Sequence, residues 1–328
     1  MALEPRPLGR SGLTVSAFGF GGGPIGNLRR AISDEAATAT VDAAWDAGAR
    51  YFDTAPLYGH GRSEMRLGAA LRHRPRDEFV LATKVGRLLR PPRSRDFERH
   101  GFVDTPDCEV VYDYSRDGAL RSFEESLARL GLDRVDLVLI HDIDRWTHGD
   151  EQPRRFAEAL DGAYRALADL KAAGTIKAIG LGVNEWHVCR DFALRVPVDC
   201  FMLAGRYTLL EQESAEEFLP LCVERGMGVI VGGPFNSGIL VTGPVPDAQY
   251  NYAPAPQPIR ERAGRLKEVC ERHGVPLAAA ALRFPLRHPA ISAVIPGLMT
   301  PDEVAWAARS LAMPIPDALW SDLASEGL

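Results

Sequence analysis

The sequence predicts a single-domain (β/α)8 barrel spanning 1–328, and three observations carry that expectation. Short apolar runs alternate with longer amphipathic ones eight times, no low-complexity or Ser/Gly linker interrupts them, and ionisable residues end three consecutive apolar runs. An unbroken series of βα units favours a closed barrel over an open doubly wound sheet, with a site at the C-terminal ends of the strands.

The strand candidates, in order, are 17–20 (AFGF), 50–53 (RYFD), 79–84 (FVLATK), 135–141 (VDLVLIH), 176–183 (IKAIGLGV), 199–203 (DCFML), 228–231 (GVIV) and 293–295 (AVI). They are short and largely apolar, as strands covered on both faces must be. Helical spacing is expected over 34–47, 63–71, 118–130, 153–172, 214–225, 259–273 and 301–310, with 277–286 and 316–324 as additional helices. Gly48, Gly131, Gly174, Gly226 and Gly274 each follow a helical run, where a left-handed residue ends the helix.

Composition narrows the function classes. The chain is 46% hydrophobic and 25% charged, enough apolar material for one large core. A net charge of -6 argues against a nucleic-acid partner, which needs a basic face. The arginine-rich stretch 86–100 (GRLLRPPRSRDFERH) reads as a solvated, irregular insertion because acids and two prolines interrupt it. Five cysteines without a CxxC spacing suggest reduced thiols in the cytoplasm and neither disulfides nor a zinc site. The N-terminal stretch lacks the apolar core of a signal peptide, and no run reaches the ~20 apolar residues of a membrane span. The expected partner is a small-molecule substrate; oligomeric state is not legible.

Asp53, Lys84 and His141 end the second, third and fourth strand candidates, and Tyr58 lies in the Gly-rich loop FDTAPLYGHGRSE. Each alone is explained by a turn or a solvated rim. Together they can move a proton: an ammonium favours the phenolate, a carboxylate keeps the ammonium charged, and an imidazole can hold the oxygen of the reacting carbon. Such a set suits proton transfer coupled to hydride transfer at a carbonyl or alcohol. His60, His148 and His187 show no partner spacing and read as surface or pocket-edge residues. GGGPIG at 21–26 satisfies GxGxxG, but the next helix starts about eight residues later, too far for the dinucleotide fingerprint. A dehydrogenase of that other fold, with Asp53 on the ribose, is the rival enzyme.

The motifs RPLGRSGLTVSAFGFG, FDTAPLYGHGRSEMRLGAAL, LATKVG, VDLVLIHDID, AIGLGVNEW and VIPGLMTPDEV occur in matching order along almost the whole chain, and by them the sequence resembles the aldo-keto reductases. The resemblance implies Tyr58 as general acid/base, Lys84 as its pKa-lowering partner, Asp53 as the lysine's counter-ion, His141 as the orienting group, and a nicotinamide cofactor at the rim. HDIDRWTHG, FMLAGRYTLLEQE and IVGGPFNSGILVTG are similar to the sugar-oxidising branch, which converts the C1 hemiacetal of an aldose (L-fucose or D-threo-aldose type) to the lactone with NAD(P). Pyridoxal- and L-galactose-oxidising relatives compete, and a nucleotide-binding regulatory subunit is the reading from another class.

By the same resemblance Asn184 would bind the carboxamide, with Val183 and Ala204 in place of the usual serine and glutamine. Gly232 replaces the nicotinamide-stacking aromatic, a gap that Tyr207 or Phe235 is a candidate to fill. Pro234, Ser237 and Gly238 would line the pyrophosphate, and Ile295, Gly297 and Glu303 the adenosine phosphate. Gly297 and Glu303 stand where NADP-dependent relatives carry a lysine and an arginine, so NAD is expected over NADP. Trp306 replaces an adenine contact, either stacking or packing. Trp146, the insertion 86–114 and the loop 240–258 are expected to wall the substrate.

Overall fold

Eight parallel strands, β1 (Phe20–Gly21), β2 (Tyr51–Asp53), β3 (Val80–Val85), β4 (Leu137–His141), β5 (Ala178–Val183), β6 (Cys200–Ala204), β7 (Gly228–Gly232) and β8 (Ile291–Ile295), pair in chain order. The ends of the sheet meet: the Gly19 amide donates to the Val294 carbonyl at 3.0 Å, and the Val294 amide to the Ala17 carbonyl at 2.9 Å. The computed structural model, which describes residues 4–94 and 96–328, is thus a nearly closed (β/α)8 barrel. Residues 1–3 of the N-terminal stretch and residue 95 of the insertion lie outside the described residues.

The predicted strands all appear, shifted by a few residues at their ends. Helices Asp34–Asp46 and Arg116–Leu130 begin on Ser33 and Ser115, whose hydroxyls accept from Ala36 and Gly118. The long helix predicted at 153–172 is interrupted by a π-helical turn, Ala159–Ala163. That turn sends the Ala163 amide to the Tyr114 carbonyl at 2.8 Å, and any Cβ on Gly162 would strike the same carbonyl. Trp186–Ala193 is a helix with no counterpart among the predicted ones.

Three hairpins also escape the strand–helix pattern, the last of them Gln249–Tyr250 with Ala253–Pro254 in the loop after β7. Arg6–Pro7 pairs with Thr14–Val15 beneath the barrel, where Leu8 packs among the inward side chains Tyr51, Leu137 and Met202. The second, Arg87–Arg90 with Glu109–Tyr112, corrects over 86–90 the reading of 86–100 as irregular and solvated, while 91–94 and 96–100 carry no helix or strand. Arg87 is buried, so its arginine-rich sequence hides an internal ion pair at its first residue.

The lower hairpin turns at Gly9, whose φ is +56°, and a Cβ there would meet the Gly228 nitrogen at 2.5 Å and the Asp199 oxygen at 2.6 Å. Gly9→Ala must strain the turn or lift the hairpin from the strand ends. It is expected to cost about 2 kcal/mol or more, measured by urea unfolding at neutral pH.

Candidate active site

Alternation along the strands builds the site. Tyr51, Val80, Ala82, Leu137 and Leu139 point into the barrel, whereas Phe52, Leu81, Val138 and Ile140 face the helices. Continued by period two, the inward series ends in Asp53, Lys84 and His141 at the C-terminal rim. Gly182 on β5 leaves room for the lysine stem, since a Cβ there would lie 3.2 Å from Lys84 Cε.

Lys84 is 1% exposed and Asp53 2% exposed. Lys84 Nζ donates to Asp53 Oδ1 at 2.9 Å, to Oδ2 at 2.6 Å and to the Thr54 carbonyl at 2.9 Å, which uses all three of its protons. Burial opposes the ammonium, but Asp53 and Tyr58 beside it outweigh burial and hold its pKa above the ordinary lysine value. Burial likewise pushes Asp53 up while Lys84 pulls it back. The contact of one nitrogen with both oxygens is that of a charged pair.

Tyr58 sits over this pair. Its amide donates to the Ala55 carbonyl at 3.0 Å and its carbonyl accepts from Ser63 at 3.1 Å, so the loop is a chain of tight turns. Lys84 Nζ lies 4.6 Å from the ring centre, and the His141 ring stands perpendicular to it at 5.9 Å. The four predicted residues are therefore together. Burial pushes the Tyr58 phenol up to about 12 and so outweighs Lys84, which pulls it down as expected. Tyr58 is a protonated acid at neutral pH in this arrangement.

His141 is buried, and burial, then Arg87 and Lys84, holds its imidazole well below the ordinary histidine value. It is neutral through the physiological range and can donate one hydrogen bond. Its Nε2 lies 3.3 Å from Asp142 Oδ2, whereas the buried Nδ1 has no partner.

Sequence reasoning missed the carboxylates that follow His141. Asp142 pairs with Arg87 and accepts from Asn184 Nδ2 at 3.1 Å. Asp144 accepts from the Asn184 amide at 2.6 Å and from Thr147 at 3.0 Å, capping the short helix Arg145–His148. The motif HDID held the signal, since two acids directly after an inward histidine cannot both be solvated if the strand ends at the rim. His60 is also corrected: it is 1% exposed rather than at a surface, and its Nδ1 bonds the Cys108 carbonyl at 2.7 Å. His148 Nε2 reaches Tyr114 Oη at 2.9 Å, while exposed His187 stacks on Trp186.

The remaining rim residues are consistent with a nicotinamide dinucleotide. A Cβ on Gly232 would sit in ordinary van der Waals contact with Ile295 Cγ1 and the Leu203 carbonyl, both at 3.8 Å, so a side chain in the place of the missing aromatic meets no clash at its first atom. Tyr207 does not fill it, being buried against Phe284, and Phe235 packs on Trp306. Ser237 and Gly238 have left-handed backbones that follow Pro234, and the Ser237 hydroxyl accepts from the Tyr252 amide at 3.0 Å. Beyond Ile295 at the end of β8, helix Pro301–Ala312 is capped by Thr300, and Glu303 returns to accept from the Met299 amide at 2.7 Å. A side chain at Gly297 would meet Pro24 Cγ at 2.8 Å, which leaves no simple place for a lysine. The GGGPIG stretch carries a single 3-10 turn, Pro24–Gly26, and no helix opens within it, unlike a dinucleotide fingerprint.

That turn instead packs on the tyrosine loop. Gly59 has a φ of +62°, and a Cβ on it would fall on the Gly26 carbonyl. Gly59→Ala must part the two loops and displace Tyr58, and kcat/KM is expected to fall about 100-fold with circular dichroism unchanged. A variant with full turnover would show that Tyr58 does not depend on this contact.

Among the described residues, no helix is long and apolar enough to cross a membrane and no cluster of side chains could hold a metal ion. Comparison with known proteins agrees with the geometry. The chain is 45% identical to pyridoxal 4-dehydrogenase of Microbacterium luteolum over 100% of its own length and 98% of the relative's. It is 42% identical to D-threo-aldose 1-dehydrogenase of a Pseudomonas species, covering 97% of this chain and 96% of that one. The holo form of aldo-keto reductase AKR11C1 from Bacillus halodurans superposes with a TM-score of 0.74 at 26% identity, over 98% of this chain and 96% of that one. The Aldo/keto reductase family model matches residues 17–325. The chain belongs to the aldo/keto reductase family and is an NAD(P)-dependent oxidoreductase.

Proposed function

We propose that the protein oxidises the C1 hemiacetal of an aldose, of the L-fucose or D-threo-aldose type, to the lactone, with NAD as the preferred cofactor. The observation that carries this reading is the buried Lys84–Asp53 pair beneath Tyr58, beside a neutral His141. The hydroxyl proton of C1 passes to Tyr58 Oη, whose ionised form the Lys84 ammonium stabilises. His141 holds the same oxygen through its single N–H. A bound nicotinamide supplies the hydride acceptor and, when oxidised, a positive charge that adds to that of Lys84. Asn184, Pro234, Ser237, Gly238, Ile295, Gly297 and Glu303 would hold it.

Support for NAD comes from Glu303 and Asp302 in the first turn of helix Pro301–Ala312, where two carboxylates repel a 2′-phosphate. Trp146, 55% exposed after β4, and Tyr252, 65% exposed in the loop after β7, present apolar faces for a small ring. Arg206 ties the two together, lying 5.7 Å from the Trp146 ring centre and donating to Asn251 at 3.1 Å. Pyridoxal is the second reading, favoured by the 45% identity to a pyridoxal-oxidising enzyme. Its aldehyde neighbours a hydroxymethyl group, so it too can close to a cyclic hemiacetal.

An NAD reduction screen over L-fucose, D-arabinose, L-galactose, L-xylose and pyridoxal tests the substrate class. Turnover of an aldose supports the first reading, turnover of pyridoxal alone the second, and inertness to all five overturns both. With the best substrate, kcat/KM is expected to favour NAD over NADP by about tenfold or more; the reverse order would reject the role given to Glu303.

Because the Tyr58 pKa is raised to about 12, the phenolate fraction increases about tenfold per pH unit below that value. Oxidation should therefore accelerate from neutral to alkaline pH, while carbonyl reduction, which uses the protonated form, should not. Tyr58→Phe is expected to lower both by about 10²–10⁴-fold. A flat oxidative profile, or a fully active Y58F, would remove Tyr58 from the proton path.

A further inference from the structure

Asp142 stands where three elements meet and takes no part in the chemistry above. Its Oδ2 faces His141 Nε2 at 3.3 Å and pairs with the Arg87 guanidinium, and its Oδ1 accepts from Asn184 Nδ2 at 3.1 Å. It thus touches both the histidine that holds the reacting oxygen and the asparagine at the cofactor rim. Its backbone is left-handed, with φ +47°, while its amide donates to the Gly182 carbonyl on β5 at 2.9 Å. A non-glycine residue held in that region points to a side-chain direction the fold maintains at some cost.

A neutral imidazole carries one proton. The nitrogen that faces a carboxylate oxygen must bear it, because two lone pairs at 3.3 Å repel. Nδ1 is buried with no partner, and a donor there would be orphaned. The contact is longer than the ~2.7–2.9 Å of a charge-assisted bond, so it orients the N–H without capturing it. Arg87 divides the carboxylate's charge and keeps Asp142 from drawing a second proton onto the ring.

We propose that Asp142, anchored by Arg87, is a positioning residue that holds His141 in its Nε2–H tautomer and aligns Asn184 with it. The inference rests on His141 as the group that holds the reacting oxygen, but the tautomer can be read without any substrate.

The groups facing Asp142 are Arg87 and Tyr112 on the hairpin, Tyr114 just after it, Lys84 on β3, Tyr58 on the loop after β2, Tyr252 on the loop after β7, and Asp144 and His148 beyond it in its own connection. The lysine and arginine stay charged, and burial keeps Tyr58 and Tyr112 neutral. Burial raises Asp142 to about 6, against the pull of Arg87. As pH falls through that value Asp142 is protonated and loses the charge that orients the Nε2–H, gaining an O–H donor that competes for the same nitrogen, so turnover should decline, whereas His141 itself, held well below the ordinary histidine value by burial, is still neutral there.

The test compares the wild type with Asp142→Asn, Arg87→Lys and Arg87→Met by 15N NMR of the histidine ring and by kcat against pH. The wild type is expected to show His141 as Nε2–H alone. D142N should populate both tautomers, lose 10–100-fold in kcat with KM changed less than about threefold, and lose the acidic limb. R87K, which keeps the charge, should retain the wild-type tautomer, and R87M should resemble D142N. An Nδ1–H ring in the wild type, or D142N with wild-type kcat and acidic limb, overturns the proposal. If D142N does not fold, the wild-type tautomer decides alone. Full turnover by His141→Asn would refute the role of His141 instead, and so separates the two failures.

Discussion

A lysine ammonium with 1% exposure is tolerable only if every proton it carries is met, and that demand organises the top of this barrel. Removing one partner from such a pair costs about 3–5 kcal/mol, so the Asp53 carboxylate and Thr54 carbonyl cannot drift. β2 and β3 satisfy it through a register that pairs Asp53 with Ala82, setting Lys84 one inward position higher. Around it the neighbouring elements make space or cover: Gly182 omits a side chain, Tyr58 closes the top, and the loop carrying Pro24–Gly26 fastens the tyrosine turn from outside. The charge used for chemistry is also the charge that fixes strand register.

Burial, which makes that pair strong, also sets the proton affinities. It raises the phenol and lowers the imidazole, leaving both neutral over a wide range of pH. The site is therefore poised with an acid and a neutral donor on either side of one oxygen, and its charges lie in the Lys84–Asp53 and Arg87–Asp142 pairs and on Asp144.

Much of this is legible in the sequence because period-two alternation ends in Asp53, Lys84 and His141, each directly after an apolar run, and the ends of such runs converge in a barrel. Gly48, Gly131, Gly174, Gly226 and Gly274, all with positive φ, mark helix ends in the same local way. What is not legible depends on magnitudes or partners far along the chain. The direction of the Tyr58 pKa requires knowing that burial outweighs Lys84. Arg87 looks solvated among arginines until Asp142, 55 residues away, supplies its partner. Trp186–Ala193 is short, and its polar residues mask its buried face of Trp186, Val188, Cys189 and Phe192. Glu303 reads as a ribose contact, yet its carboxylate is also engaged by the Met299 amide as part of a helix cap.

The hairpin Arg6–Pro7 with Thr14–Val15 gives the barrel a floor: Leu8 fills the axis and Ser292 Oγ bonds the Pro7 carbonyl at 2.8 Å. With the lower end stoppered, ligands have one doorway, at the end where Tyr58, Trp146 and Tyr252 stand. Any ligand that lies beneath another in that doorway must be first in and last out.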